Sequence, residues 1–127
     1  MQGTQVYEYA FVRVLPRVER GEFINVGVIL FSKRKRFLDM KYHIDVDRLK
    51  ALSKEVDVEE VHSYLQAWDL ICQGDQKGGK IAQLEQAERF RWLTATKSTI
   101  VQCSKVHPGR CEFPERVLEK LFERYVG

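Results

Sequence analysis

The chain has 127 residues, of which 44% are hydrophobic and 31% are charged. These values exclude an intrinsically disordered chain and predict a single globular domain over residues 1–127. The 21 basic and 18 acidic residues give a net charge of +3, which does not by itself indicate nucleic-acid binding. The sequence contains no bilayer-spanning apolar run and no recognisable signal peptide, and its three cysteines have unrelated spacings. We therefore expect a reduced, cytoplasmic protein that does not bind membranes.

Two adjacent segments near the start of the chain have the composition of β-strands. Residues 6–15 combine aromatic and β-branched side chains, and a turn with Pro16 and Gly21 follows them. Residues 23–31 form an apolar run that is interrupted only by Asn25 and Gly27. A short apolar run of this kind is typical of a strand that is covered on both faces.

The two strands are expected to pair as an antiparallel hairpin. Three cross-strand pairs define the predicted register: Arg13 with Asn25, Phe11 with Gly27, and Tyr9 with Ile29. A slip of one residue would move Arg13 into the apolar face, and this disfavours the alternative registers. In the second strand the even-numbered positions then form an apolar face. The odd-numbered positions form a second face, in which Asn25 and Gly27 leave a polar notch between larger apolar side chains.

A third strand is predicted over residues 37–44, where apolar and polar side chains alternate. The alternation indicates one wet face and a position near the edge of the sheet. The preceding residues 33–36 are Lys-Arg-Lys-Arg, which is typical of a solvated hairpin turn. Contact with a phosphate backbone is the alternative role for this turn.

Helical patterns begin after the third strand. Asp45 and Asp57 occupy N-cap positions before predicted helices over residues 46–53 and 58–72, and Gly74 ends the second of these. A weaker helical pattern follows over residues 80–93.

The end of the chain predicts one more strand and one more helix. Residues 98–104 predict the strand, residues 107–109 predict a turn, and a last helix begins at Pro114. This order predicts an α+β fold: an antiparallel sheet of about four strands, a β-meander plus one late strand, with three to four helices mainly on one face.

The first candidate site combines Arg13, Glu22 and Asn25 beside the notch at Gly27. A guanidinium, a carboxylate and a carboxamide on one sheet face are able to bind a phosphate or carboxylate ligand. The alternative is a structural network in which Arg13 pairs with Glu22 and Asn25 bonds to a loop backbone.

The second candidate site is the segment over residues 89–99, where basic, aromatic and hydroxyl side chains alternate. Its candidate residues are Arg89, Arg91, Trp92, Lys97, Ser98 and Thr99. Interleaved arginine and aromatic residues suit base stacking and phosphate contact. The alternative is the end of a helix whose apolar residues lie in the core and whose arginines lie in solvent.

Cys103, His107 and Cys111 form the third cluster, with a spacing that matches no zinc module. Pro108 and Gly109 interrupt this segment, so we expect neither a metal site nor a bound cofactor. The sequence also lacks a phosphate-binding glycine loop, a dinucleotide fingerprint and a His-Glu-x-x-His motif, which lowers the expectation of an enzyme.

Two motifs occur in the two halves of the chain: Tyr7-x-Tyr9-x-x-x-Arg13-x-x-Pro16 with Gly21-Glu22-Phe23-x-Asn25-Val26-Gly27, and Arg89-Phe90-x-Trp92-Leu93-Thr94-Ala95 with Ser98-Thr99 and Val106-His107-Pro108-Gly109. Together they resemble the bacterial family called domain of unknown function 3037. The resemblance implies a small bacterial protein of no established activity that is encoded near HipA-like kinases. It also implies a working surface at the positions that this chain shares with the family: Arg13, Glu22, Asn25, Gly27, Arg89, Trp92, Ser98, Thr99 and His107.

The leading functional prediction is a non-catalytic interaction or accessory module with a protein partner, for which the resemblance suggests a HipA-like kinase. Its predicted contact surface is the Arg13 and Asn25 side of the sheet together with the segment around Trp92. A nucleic-acid-binding protein or a small nuclease-like enzyme is the alternative, with Glu22 or His107 in acid–base work. Its phosphate contacts would come from a basic face that consists of Arg13, Arg89, Arg91 and Lys97. A small-molecule site at the Gly27 notch is the third hypothesis.

Overall fold

The computed structural model describes residues 3–126. One antiparallel sheet organises these residues, and its strands are β1 (Gln5–Val14), β2 (Ile24–Ser32), β3 (Phe37–Tyr42), β4 (Val101–Cys103) and β5 (His107–Cys111). The strand order is β3-β2-β1-β4, and β5 pairs with β1 beside β4. The predicted α+β class and the meander of the first three strands are therefore confirmed.

In the described part of the chain, four α-helices accompany the sheet: α1 (Val46–Leu52), α2 (Val58–Gln73), α3 (Gln86–Thr94) and α4 (Pro114–Tyr125). The predicted N-caps are confirmed, since the Asp45 and Asp57 carboxylates accept hydrogen bonds from backbone N–H groups three residues later. Gly74 ends α2 in the left-handed conformation with φ of 70°, which a glycine adopts without steric cost. No helix in residues 3–126 is long and apolar enough to cross a membrane.

The helices lie on both faces of the sheet. The main core lies on one face, where Val12 of β1 packs with buried residues of α1, α2 and α3, such as Leu49, Leu65 and Phe90. A smaller core lies on the other face, where Leu118 of α4 packs against β2. The expectation of helices mainly on one face therefore needs correction for α4, whereas the prediction that β2 is covered on both faces is confirmed.

The predicted register of the β1–β2 hairpin is correct next to the connecting turn and is shifted by one residue farther from the turn. Arg13 pairs with Asn25 as predicted, but a bulge follows, so that Val12 pairs with Gly27 and Phe11 pairs with Val28. The predicted pair of Tyr9 with Ile29 is likewise replaced by a pair of Tyr9 with Leu30. A bulge inserts one extra residue into one strand, and it therefore breaks the strict alternation of even and odd positions along β2.

The outer edge of β1 is covered by two short strands rather than one. The turn predicted at residues 107–109 is wrong, because these residues begin β5 and pair with Tyr7–Tyr9. Proline is acceptable in an edge strand, where a missing N–H costs no interior hydrogen bond. Between β4 and β5 the buried Ser104 hydroxyl accepts a hydrogen bond of 2.8 Å from the Phe11 backbone N–H. The Ser104 side chain thus satisfies a backbone donor of β1 at the point where the neighbouring segment passes from β4 to β5.

Candidate functional site

The side chains of Tyr7, Tyr9, Phe11 and Arg13 follow one another along the α4 side of β1. The side chains in this row alternate with positions such as Ala10 that point into the main core. All four are partly exposed. The row arises because α4 lies mainly over β2 and β3, which leaves the β1 part of this sheet face less covered.

Arg13 at one end of the row lies between a carboxamide and an aromatic ring. Its Nε donates a hydrogen bond of 3.3 Å to Asn25 Oδ1, and its guanidinium lies 4.1 Å from the centre of the Phe23 ring. The Phe23 side chain is 46% exposed, so the stacked pair is presented to solvent. Glu22 instead forms a 3.0 Å ion pair with Arg20. The structure thus brings Arg13 and Asn25 together, and the suggested pair of Arg13 with Glu22 is wrong.

The remainder of the row is aromatic. The Tyr7 and Tyr9 ring centres are 6.0 Å apart, and the His107 ring of β5 lies 5.4 Å from Tyr9. Phe11 contacts Tyr125 of α4 edge to face at 5.1 Å. Burial, together with the nearby Tyr9 and Cys111, raises the pKa of the Tyr7 phenol above its ordinary value. The Tyr7 phenol is therefore neutral at physiological pH.

Gly27 does not form a notch. A Cβ at this position would lie 2.7 Å from the Lys41 backbone oxygen and 2.9 Å from Tyr42 Cβ, because β3 occupies the space. The glycine allows two backbones to approach closely, and it leaves no room for a ligand. The hypothesis of a small-molecule site at the Gly27 notch is therefore wrong.

The second candidate site lies on the opposite side of the sheet, with α3. Lys97 Nζ donates to three backbone carbonyls at the end of α3, those of Trp92, Leu93 and Ala95. The same ammonium lies 4.7 Å from the Trp92 ring centre and 5.3 Å from that of Trp68. A cation at a helix C-terminus is favoured by the helix dipole, so Lys97 has a structural role in ending α3.

The other residues of this segment do not converge with Lys97. Arg89 donates a hydrogen bond of 2.8 Å to the Leu84 carbonyl, and its guanidinium packs over Gly74. The Thr99 hydroxyl donates a hydrogen bond of 3.0 Å to the Val101 carbonyl, whereas Arg91 and Ser98 are exposed. Arg13, Arg89 and Lys97 do not form one basic surface, because Arg89 and Lys97 bind backbone carbonyls on the other side of the sheet from Arg13.

The cysteines and His107 do not form a metal cluster, and none of the described residues form one. Cys103 pairs with Val12 and points toward the main core, whereas His107 pairs with Tyr9 on the α4 side. Burial raises the pKa of the Cys103 thiol from 9.0 to about 12, despite the opposing effect of Lys97 and Arg13. Cys103 is therefore a protonated core residue rather than a nucleophile.

We expect Cys103 to be nearly unreactive toward iodoacetamide in the folded protein at pH 8. A rise in pKa from 9.0 to about 12 lowers the thiolate fraction, which is the reactive form, about a thousandfold. The measurement is peptide mass spectrometry of alkylated protein, with the same protein in denaturant as its control. Equal rates for the folded and unfolded chains would contradict this assignment.

Of the eleven residues predicted for a site, the structure places Arg13, Asn25 and His107 along the α4 side of β1. Five aromatic members of this face were not in the predicted set: Tyr7, Tyr9, Phe11, Phe23 and Tyr125. The sequence contained a signal for the β1 rings, since Tyr7, Tyr9 and Phe11 occupy odd positions of the same strand as Arg13. The exposure of this face could not be predicted from the sequence, because it depends on where α4 lies.

The fold and the site define a class: an α+β domain with one antiparallel sheet between two helical layers and a partly exposed face of aromatic and arginine residues. The chain belongs to the DUF3037 family, whose model, described as a protein of unknown function, matches residues 9–126. The resemblance of the two sequence motifs to this family is thereby confirmed. No curated protein and no solved structure is detectably similar to the chain.

Proposed function

We propose that this protein is a non-catalytic interaction module that binds a protein partner through the Phe23 patch, which consists of Phe23, Arg13, Phe11 and Tyr125. The observation that carries the proposal is the exposure of this patch. Phe23 and Tyr125 are 46% and 49% exposed, and Arg13 and Phe11 connect them along β1. Aromatic residues and arginine are enriched at the energetically important centres of protein interfaces.

The environment of the polar candidates supports binding rather than catalysis. Glu22 is exposed and paired with Arg20, and the Cys103 thiol is protonated in the core. Lys97 is held by three carbonyls at the end of a helix. Each group satisfies a neighbour within the fold, which is the usual role of a structural polar residue.

The resemblance to a family encoded near HipA-like kinases supplies a first partner to test. On this proposal the protein is a cytoplasmic bacterial accessory protein, and a HipA-like kinase is its partner. The segment around Trp92 lies on the opposite side of the sheet from Arg13, so one flat partner surface would not contact both. The proposal therefore assigns the protein contact to the Phe23 patch alone.

Replacement of Phe23 by alanine is expected to weaken binding to a purified HipA-like kinase about thirtyfold, the effect of a hot-spot residue worth about 2 kcal/mol. The matched control is Phe113→Ala. Phe113 is also an exposed phenylalanine, at 43%, and the guanidinium of Arg116 lies 4.5 Å from the centre of its ring. The measurement is isothermal titration calorimetry with the intact chain.

The two variants separate the proposal from its alternatives. A Kd that rises for Phe23→Ala and stays unchanged for Phe113→Ala supports the Phe23 patch as the docking surface. Equal effects of the two substitutions, or tight binding by Phe23→Ala, would overturn it. Failure of the wild-type protein to bind the kinase would exclude this partner.

A further inference from the structure

A groove lies at the other end of β1 from the Phe23 patch. Tyr7 forms its floor, and Val117 and Leu121 of α4 form an apolar wall. Lys120 and Arg124 lie at its rim, and the volume of the groove is about 730 Å³. We call this the α4 groove. The Tyr7 ring packs over Gly109 of β5, where a Cβ would lie 2.7 Å from Tyr7 Cε2, so the glycine allows the ring to lie flat.

Next to Tyr7, outside the lining of the α4 groove, the aromatic row of β1 continues. Tyr9 follows Tyr7 at 6.0 Å, and the exposed His107 of β5 lies 5.4 Å from Tyr9. Tyr7 and Tyr9 pack at the margin of the small core and remain partly exposed. A partly exposed series of rings on a sheet face provides a surface on which planar bases are able to stack.

The charges of α4 are arranged in two stripes of opposite sign. Arg116, Lys120 and Arg124 are four residues apart, as are Glu115, Glu119 and Glu123. Lys120 and Arg124 line the α4 groove together with one acidic residue, Glu123. Glu119, in contrast, forms an ion pair with Lys41 on the β3 side of α4. The helix therefore presents two cations and one carboxylate to the aromatic floor.

We propose that the α4 groove binds single-stranded nucleic acid, whose bases stack on Tyr7, Tyr9 and His107 and whose phosphates contact Lys120 and Arg124. Aromatic rings beside cations complement a flexible polyanion with exposed bases. A duplex conceals its base faces, so it would gain only the phosphate contacts. An acidic protein segment would likewise gain only the charge contacts.

The site uses residues that the Phe23 patch does not contain, so the two proposals can fail separately. The inference goes beyond the proposed function, because it assigns a second ligand class to a different part of β1. Unchanged kinase binding by Phe23→Ala would overturn the Phe23 patch and would not affect the α4 groove. Failure of the wild-type protein to bind nucleic acid would overturn the α4 groove and would not affect the Phe23 patch.

The test is fluorescence anisotropy of labelled oligothymidine and oligouridine with the intact protein, at about 50 mM and about 200 mM salt. Two phosphate contacts to a single strand predict a loss of affinity of about sevenfold over this range. The double substitution of Lys120→Gln with Arg124→Gln is expected to weaken binding at least tenfold and to flatten the salt dependence. Both side chains are exposed, so the folded protein should be retained.

A second variant tests stacking separately from charge. Tyr9→Leu keeps an apolar side chain in the small core but removes the ring, and it is expected to weaken binding about tenfold. The control is Lys50→Gln with Lys54→Gln, which removes two exposed cations in and just after α1. No binding at the lower salt concentration would overturn the proposal. Equal affinity for a duplex or for polyglutamate, or equal losses in the control, would also overturn it.

Discussion

Replacement of Gly27 by alanine is expected to destabilise the fold by about 2–4 kcal/mol, as overpacking against a rigid backbone does. The new Cβ would lie 2.7 Å from the Lys41 carbonyl oxygen and 2.9 Å from Tyr42 Cβ. Both atoms belong to the neighbouring strand β3, so relief of the clash requires the two strands to separate. Separation would weaken the hydrogen bonds between β2 and β3. Urea denaturation monitored by circular dichroism measures the change in unfolding free energy.

Gly21 provides the control for this substitution. A Cβ on Gly21 meets no atom within 4 Å, and the residue has φ of 72°, a conformation that asparagine tolerates better than other residues. Gly21→Asn should therefore change the unfolding free energy by less than about 1 kcal/mol. If Gly27→Ala were as mild as Gly21→Asn, the close approach of β2 and β3 would be wrong. A ligand role for Gly27 could then be reconsidered.

The position of Gly27 shows what a strand pattern contains and what it omits. The run over residues 23–31 correctly predicted a buried strand and the pairing of Arg13 with Asn25. The pattern assumed a constant alternation, and the bulge beside Arg13 removes that alternation. Because a bulge depends on the partner strand, no pattern within β2 alone could reveal that Gly27 faces β3.

The candidate sites show the same limit at the level of packing. In the sequence, the interleaved basic and aromatic residues of the second candidate segment fit two interpretations, a nucleic-acid surface and a helix end. The helix-end interpretation describes Lys97, because its ammonium binds the last carbonyls of α3. The sequence predicted β1 as a strand with aromatic side chains, but the exposure of those side chains depends on the position of α4. A helix placed directly over β1 would have buried the row.

Replacement of a buried aromatic residue of α3 is expected to have the second large effect on stability. Phe90 is 1% exposed and stacks on Phe31 of β2 at 5.3 Å, so it attaches α3 to the sheet. Phe90→Ala is expected to cost about 3–5 kcal/mol, since it removes a buried ring and leaves a cavity. Trp92, two residues later, is 38% exposed, and Trp92→Ala should cost less than about 2 kcal/mol. Thermal and urea unfolding of the two variants measures the difference.

The comparison decides what the aromatic residues of α3 do. If Trp92→Ala were as destabilising as Phe90→Ala, the Trp92 ring over Lys97 would be part of the core, and exposure would be a poor guide to its role. If only Phe90→Ala is severe, then the core depends on Phe90, and the stack of Lys97 on Trp92 is a local closure of the helix end. In that case Trp92 is dispensable for folding, and its loss can be used to test binding on this side of the sheet without unfolding the protein.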